Sequence, residues 1–447
     1  MHIIMKKDFK KGTGQKLWKE AKKLIPGGNQ LLSKRAEMFL PNQWPAYYSK
    51  AKGCEVWDLD GNKYIDMGIM GVGSCILGYA DNEVNTAVKK TVDNGSMSTL
   101  NAPEEVELAE LLCKVHPWAD MVRYARTGGE AMSVATRIAR ASTGKDVIAF
   151  CGYHGWHDWY LATNLKGKDS LKDHLLEGLL PKGVPKELRG TIIPFHYNKI
   201  EELKEIVKKE GKNLAAIVME PIHNIEPENN FLKKVRAIAT KTGAVLIFDE
   251  ITVGWKLTYG GAHLLYGVNP DIAVFSKAMS NGYPMAAIIG KREVMEAAQS
   301  SFISSTYWTE RVGPVAALAT LKKMKRINAS KRIKKAGSVV RAGWKAHAKK
   351  HGLSIIIGGV IPISSFAFQN GKDSNALKTL FVQEMLDRGY LATNMFFASC
   401  AHTDVHIKKY LREVDKTFAV LADVIKTKTI HKKLRGPEAH MGFQRLN

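Results

Sequence analysis

Long apolar runs are missing from this 447-residue chain. None approaches the roughly 18 residues that would span a bilayer, so no membrane partner is expected. The start, Met1-His2-Ile3-Ile4-Met5, puts its apolar patch ahead of Lys6-Lys7 and is too short for a secretory leader. Cysteine is sparse. Cys54, Cys75, Cys113, Cys151 and Cys400 are scattered and never form a C-x-x-C pair. That argues against a disulfide framework or zinc ribbon, and for buried thiols in a reducing, cytoplasmic setting. Acidic side chains are outnumbered: 43 Asp and Glu face 66 Lys and Arg, a net charge of +23. Such an excess suits anionic partners. Residues 321–350 hold twelve Lys or Arg and no acid, yet Leu321, Met324 and Ile327 recur beneath them at helical spacing. The solvated face of an amphipathic helix accounts for that stretch, and no aromatic interleaving or zinc spacing supports nucleic-acid recognition. Internal repeats and low-complexity tracts are absent as well.

What is present is ordinary globular material, with 45% hydrophobic and 24% charged residues, enough for two or three domains. The periodicity predicts a helix over 8–24, stopped by Pro26-Gly27-Gly28, then loop over 29–50. A hairpin turns at Asp60-Gly61 within residues 54–66. From about 104, helices and strands alternate. Strands are expected at 121–125, 147–150, 215–219, 244–248 and 273–275, with helices at 104–115, 130–142, 200–209 and 231–242. Apolar strands that do not alternate imply a mostly parallel sheet covered by helices on both faces, an α/β architecture. After about 326 the pattern changes to a smaller α+β domain. The expected division is an N-terminal segment, 1–60, contributing to the small domain, a large domain, 61–325, and the C-terminal small domain, 326–447.

Unusual residues gather where the strands end, which is where ligands sit in such sheets. Ala244–Phe248 delivers Asp249, and Ala273–Phe275 delivers Ser276-Lys277. An amine for a Schiff base and a carboxylate for a pyridine nitrogen are what a pyridoxal phosphate (PLP) enzyme requires. Read alone, a helix N-cap is the lesser alternative for Asp249. Thr127-Gly128-Gly129 stands between a strand and a helix, where bare backbone N–H groups bind phosphate or simply make a tight turn. Tyr153-His154-Gly155-Trp156-His157-Asp158 offers aromatic rings for stacking. Its histidines lack further ligands at metal spacing, so no metal is expected. His402 and His406 lack the glutamate of an H-E-x-x-H site and read as solvated helix residues.

The chain resembles the class III aminotransferases of PLP fold type I, and within them the glutamate-1-semialdehyde 2,1-aminomutase-like branch. The matching stretches are Trp57–Asp66, Thr127–Met132, Tyr153-His154-Gly155, Glu220-Pro221, Phe248–Ile251, Ser276-Lys277-Ala278 and Ala401-His402-Thr403. The resemblance implies a large domain with a mostly parallel sheet plus a smaller α+β domain, and PLP as cofactor. It implies Lys277 as the Schiff-base and proton-transfer lysine and Asp249 as partner of the pyridine nitrogen. Ile251 and Tyr153 would pack on the two ring faces, with His154 beside them. Thr127, Gly128 and Gly129 would hold the phosphate, and Glu220 would stand near the lysine. Thr306 resembles a threonine that reaches the neighbouring subunit's phosphate, so a homodimer with shared active sites follows. Arg35 and Trp57 would contact substrate. Two departures stand out: the family's Ser-Gly-Thr turn is Thr-Gly-Gly here, and its Gly-Phe-Arg is Gly254-Trp255-Lys256. The implied activity is amino transfer from an amino donor to an aldehyde or ketone with ping-pong kinetics. Intramolecular aminomutase, other PLP chemistries (racemase, decarboxylase or lyase) and a binding-only role for the basic stretch are the alternatives.

Overall fold

A computed structural model describes residues 12–167, 169–174, 177–222, 224–444 and 446. The chain divides into two compact units. One comprises residues up to Gly73, Gly78–Ala80 and Arg332 onward; the other comprises Ser74–Leu77 and Asp81–Lys331.

The first unit opens with a helix, Thr13–Leu24; residues 8–11 of the expected helix lie outside the described residues. Strands β1 (Tyr48–Lys52), β2 (Glu55–Asp58) and β3 (Lys63–Asp66) form an antiparallel meander. The β2–β3 hairpin is the one expected at Asp60-Gly61. Its turn is fastened by Asp58, whose carboxylate accepts from Asp60 N, Asn62 N and Tyr64 Oη.

In the second unit, strands β4 (Met121–Ala125), β5 (Val147–Cys151), β6 (Ile192–Pro194), β7 (Leu214–Met219), β8 (Val245–Asp249), β9 (Ile272–Phe275) and β10 (Ala286–Gly290) form one sheet. Its order is β4-β10-β9-β8-β7-β5-β6. All neighbours are parallel except those of β10, which runs against both β4 and β9. Alternate residues of β5, β7 and β8 enter different cores. Ile148, Phe150, Val218 and Ile247 pack with Met132, Ala135 and Ile138 of the helix Gly128–Thr143. Val147, Ala149, Ile217, Leu246 and Phe248 pack with Val235 and Ala239 of the helix Phe231–Thr242. Both faces are covered, so the strands carry continuous apolar runs. Strands β6 and β10 escaped the sequence reading because the first is three residues long and the second is mostly Ala and Gly.

The remainder of the first unit adds β11 (Ile355–Val360), β12 (Ile363–Phe368), β13 (Tyr390–Leu391) and β14 (Met395–Phe397). β11, β12 and β14 make an antiparallel sheet, while β13 pairs parallel to β3. The β3–β13 pairing keeps residues 61–73 in this unit. Leu321 and Met324 are buried under exposed Lys322 and Lys325, the amphipathic face expected of that stretch. Cys54, Cys75 and Cys151 are buried, and Cys113 and Cys400 half-buried. His402 departs from expectation. It is buried rather than solvated because Nδ1 accepts from Ser399 N at 3.1 Å and Nε2 donates to Asp66 O at 2.8 Å. Among the described residues, no helix is long and apolar enough to cross a membrane, and no cluster of His, Cys, Asp and Glu could hold a metal.

Candidate active site

Parallel strands present their carboxyl ends along one edge. β4 leads into Arg126-Thr127-Gly128, β5 into Gly152-Tyr153-His154, β7 into Glu220, β8 ends on Asp249, and β9 leads into Ser276-Lys277. Residues scattered from 126 to 277 are thereby drawn together by topology alone.

Asp249 is buried, and its Oδ2 meets His154 Nδ1 at 2.8 Å while Oδ1 accepts from Ile251 N at 3.0 Å. Burial raises the Asp249 pKa, and the hydrogen bond from His154 opposes it. The other nitrogen of His154 donates to Cys151 O at 3.0 Å. Tyr153 follows Gly152, whose φ of +108° is a left-handed value. A Cβ on Gly152 would stand 2.6 Å from Glu220 Oε2, so glycine is needed twice over. Glu220 is buried, and Oε2 accepts from Tyr153 N at 3.4 Å.

Lys277 occupies a left-handed conformation, φ +46°, rare for a side-chain-bearing residue outside functional sites. Its Nζ donates to Thr252 Oγ1 at 2.9 Å. Removal from water draws its pKa down, against the pull of Asp249 and Glu220. A second amine stands close. Lys256 is buried, donates from Nζ to Thr252 O at 2.6 Å, and is driven well below its usual pKa by burial and then by the charge of Lys277. One threonine therefore accepts from both lysines, through its hydroxyl and its carbonyl.

The segment bearing Ile251, Thr252 and Lys256 is closed at its base by Glu250. That carboxylate accepts from Ala262 N at 2.8 Å, His263 N at 2.9 Å and His263 Nδ1 at 2.7 Å. Trp118 Nε1 donates to His263 Nε2 at 3.0 Å, which fixes the tautomer.

Thr127 caps the helix Gly128–Thr143 in a capping box with Glu130. Its hydroxyl donates to Glu130 Oε2 at 3.0 Å. A Cβ on Gly128 would meet Ile251 Cδ1 at 2.9 Å. Ile251 thus lies against the opening of that helix. Thr306 is exposed at the start of a short turn, Thr306–Thr309. Arg126 secures that turn by donating from Nη2 to Trp308 O at 2.9 Å and Glu310 O at 2.7 Å.

Arg35 and Trp57 belong to the first unit. Arg35 Nη1 donates to Gln444 O at 3.0 Å, and its guanidinium lies 5.6 Å from the Phe443 ring. Trp57 stands between the Lys50 and Lys63 amines, at 4.8 and 5.5 Å.

Residues 40–396 match the family Aminotransferase class-III. The chain belongs to the class III aminotransferases. Among its relatives is the 3-aminobutyryl-CoA aminotransferase of Cloacimonas acidaminovorans, 36% identical over 72% of this chain and 75% of that one. The glutamate-1-semialdehyde 2,1-aminomutase of Sulfurihydrogenibium azorense is 31% identical over 91% of this chain and 99% of that one. A solved structure, the FumI protein of Sphingopyxis sp. MTA144 in its PLP internal aldimine form, superposes with a TM-score of 0.83. It is 25% identical, with 93% of this chain and 98% of that one covered. This class III aminotransferase accordingly has PLP fold type I, with PLP as cofactor.

The residues present fit that cofactor. A class III aminotransferase needs an amine of low basicity, a buried carboxylate with a defined partner, and a helix start bare enough to receive a phosphate. Lys277, Asp249 and the Gly128-Gly129 opening answer those needs in turn. Sequence reasoning missed Thr252 as the shared acceptor, the Asp249–His154 pair and the fastening by Arg126. Only the second left a trace, in a histidine standing next to the tyrosine expected to stack on the cofactor.

Proposed function

We propose that this class III aminotransferase moves an amino group between two separate molecules, from an amino donor to an aldehyde or ketone acceptor. Bound PLP supplies an aldehyde that exchanges with amines and a ring that takes up the electron pair left at the substrate α-carbon. The chain's own residues do the rest. Lys277 would hold the aldehyde until the donor amine displaces it, and its freed amine would then carry the proton from the donor's α-carbon to the cofactor's C4′. Its lowered pKa keeps a share of the amine neutral, as a base must be. The Thr252 hydroxyl receives the amine whenever it is released. Asp249 holds the proton of the pyridine nitrogen, and His154 holds Asp249. Tyr153 and Ile251 would cover the two ring faces, Glu220 stands beside Tyr153, and the turn Thr127-Gly128-Gly129 would take the phosphate on the Gly128 and Gly129 N–H groups, the Thr127 N–H and hydroxyl both being committed to Glu130 Oε2. Arg35 and Trp57 contact substrate, and Thr306 reaches a second copy of the chain in a homodimer.

The observation that carries this reading is the placement of Lys277 and Asp249 at the ends of paired strands, with Asp249 opposite Val274 in the ladder. Two features favour an anionic substrate: the net charge of +23 and the acyl-CoA named for one relative. The test is to load the protein with pyridoxamine phosphate and follow loss of that form against a panel of oxo compounds, charged and neutral. Discharge by a separate acceptor, with parallel-line kinetics in donor and acceptor, supports the proposal. The second reading is intramolecular transfer, favoured by the full-length match to an aminomutase. Turnover of a lone amino-aldehyde with no second partner would establish it instead.

A further inference from the structure

The turn after β5 carries a polar atom without a partner. His157 Nε2 is buried and, among the described residues, has no hydrogen-bond partner. Native proteins rarely leave such an atom idle unless a ligand, ion or water answers it. A Cβ built on Gly129 would stand 3.1 Å from both Nε2 and Cδ2 of His157. The edge of the imidazole therefore lies against the second residue of the helix Gly128–Thr143. Gly155 crosses the same spot, since a Cβ there would meet Gly129 Cα at 3.2 Å. The Trp156 ring lies over that of His157, with centroids 4.4 Å apart. Glycine at 129 is what lets residues 155–157 cover the opening turn so closely.

That opening turn has donors to spare. The N–H groups of Gly128 and Gly129 have no carbonyl one turn back within the helix, and the positive end of the helix dipole lies there. The Thr127 hydroxyl is not among the spare donors, because it is committed to Glu130 Oε2. A phosphate there gains from one more donor, and His157 Nε2 is a buried, unpartnered polar atom against that turn, with the exposed Trp156 Nε1 slightly farther from the same point, 3.6 Å from a Cβ on Gly129.

Resting on the reading that the PLP phosphate sits over Thr127–Gly129, we propose that His157 Nε2 is a further ligand of that phosphate. It donates an N–H from the covering turn while Gly128 and Gly129 donate from the helix. The assignment requires the tautomer with its proton on Nε2. Burial lowers the His157 pKa against the pull of Glu130 and Asp158, which favours a neutral donor.

The experiment compares PLP with pyridoxal, which lacks the phosphate, as ligands of the apoprotein. It uses absorbance titration together with the ³¹P chemical shift of bound PLP. His157→Leu should weaken PLP roughly tenfold to a hundredfold, the weight of a hydrogen bond to a charged group, leave pyridoxal binding unchanged and move the phosphorus resonance. His157→Gln, which keeps an N–H at similar reach, should recover most of the loss. Equal weakening of both ligands, or of neither, overturns the assignment. Thr127→Asp keeps a competent cap and adds a negative charge to the cradle. If it leaves the preference for PLP over pyridoxal intact, the phosphate is not there and the parent reading fails. If it removes the preference while His157→Leu does nothing, only the role of His157 fails. Near-UV circular dichroism of each apo variant verifies folding. If His157→Leu does not fold, His157→Asn, too short to reach, takes its place.

Discussion

His154 Nδ1 lies 2.8 Å from Asp249 Oδ2 while its Nε2 donates to the Cys151 carbonyl at 3.0 Å. A carbonyl only accepts, so Nε2 carries a proton, and a further proton must lie between the imidazole and the carboxylate. His154→Leu removes that partner. Breaking a buried pair costs about 3–5 kcal/mol unless the remaining charge is neutralised. With the His154 bond gone, burial raises the Asp249 pKa unopposed by its largest counterweight. The folded variant then holds a proton that the unfolded chain gives up near its ordinary value of about 3.9. Its stability is full below that value and falls as the pH rises toward the raised one. Denaturant unfolding of the apoprotein between about pH 5 and 8 should show that fall in the variant and a flatter profile in the parent.

Lys256 gives the opposite sign. Its depressed pKa means that the folded state binds fewer protons than the unfolded chain below about pH 10.4. The penalty is full below the folded-state pKa and shrinks as the pH climbs to about 10.4. Lys256→Met removes the penalty and forfeits the bond to Thr252 O, worth about 1 kcal/mol. The variant should gain on the parent at pH 7, and the gain should vanish and then reverse as the pH approaches about 10, where only the lost bond remains. A gap that ignores pH would refute the account.

Gly152→Ala combines a left-handed φ with a collision at Glu220. The strain should cost roughly 1–3 kcal/mol and displace Tyr153 and His154. Thermal melting should show the loss, and, if the shifted groups serve the chemistry as proposed, kcat should fall more than KM changes.

Borohydride reduction followed by mass spectrometry locates the anchoring amine. The wild-type chain should retain the mass of the cofactor and Lys277→Ala should not. Fixation that persists in Lys277→Ala and disappears in Lys256→Met would move the anchor to the neighbouring lysine.

The sheet was legible because its strands are apolar on both faces, and the site because topology gathers strand ends. Asp249 and Lys277 could be singled out by their position at the close of apolar runs. His402 was misread because the pattern around it resembles a helix face, whereas burial there is imposed by the backbone of Asp66, far away in sequence. Lys256 stood out as a departure from the family's Gly-Phe-Arg, but its burial beside Thr252 and Lys277 was opaque for a related reason. Thr252 and Lys256 act through a segment whose path is set by Glu250 gripping Ala262 and His263, and no local periodicity records that grip.

The left-handed backbone at Lys277 has an evolutionary corollary. Asparagine or glycine would suit that torsion better, so Lys277→Asn should fold at least as robustly while being inert. Any search of variants ranked by thermal resilience alone would drift toward such a dead protein. If Lys277 is the anchoring amine, a residue disfavoured by its own torsion is one that selection for turnover retains.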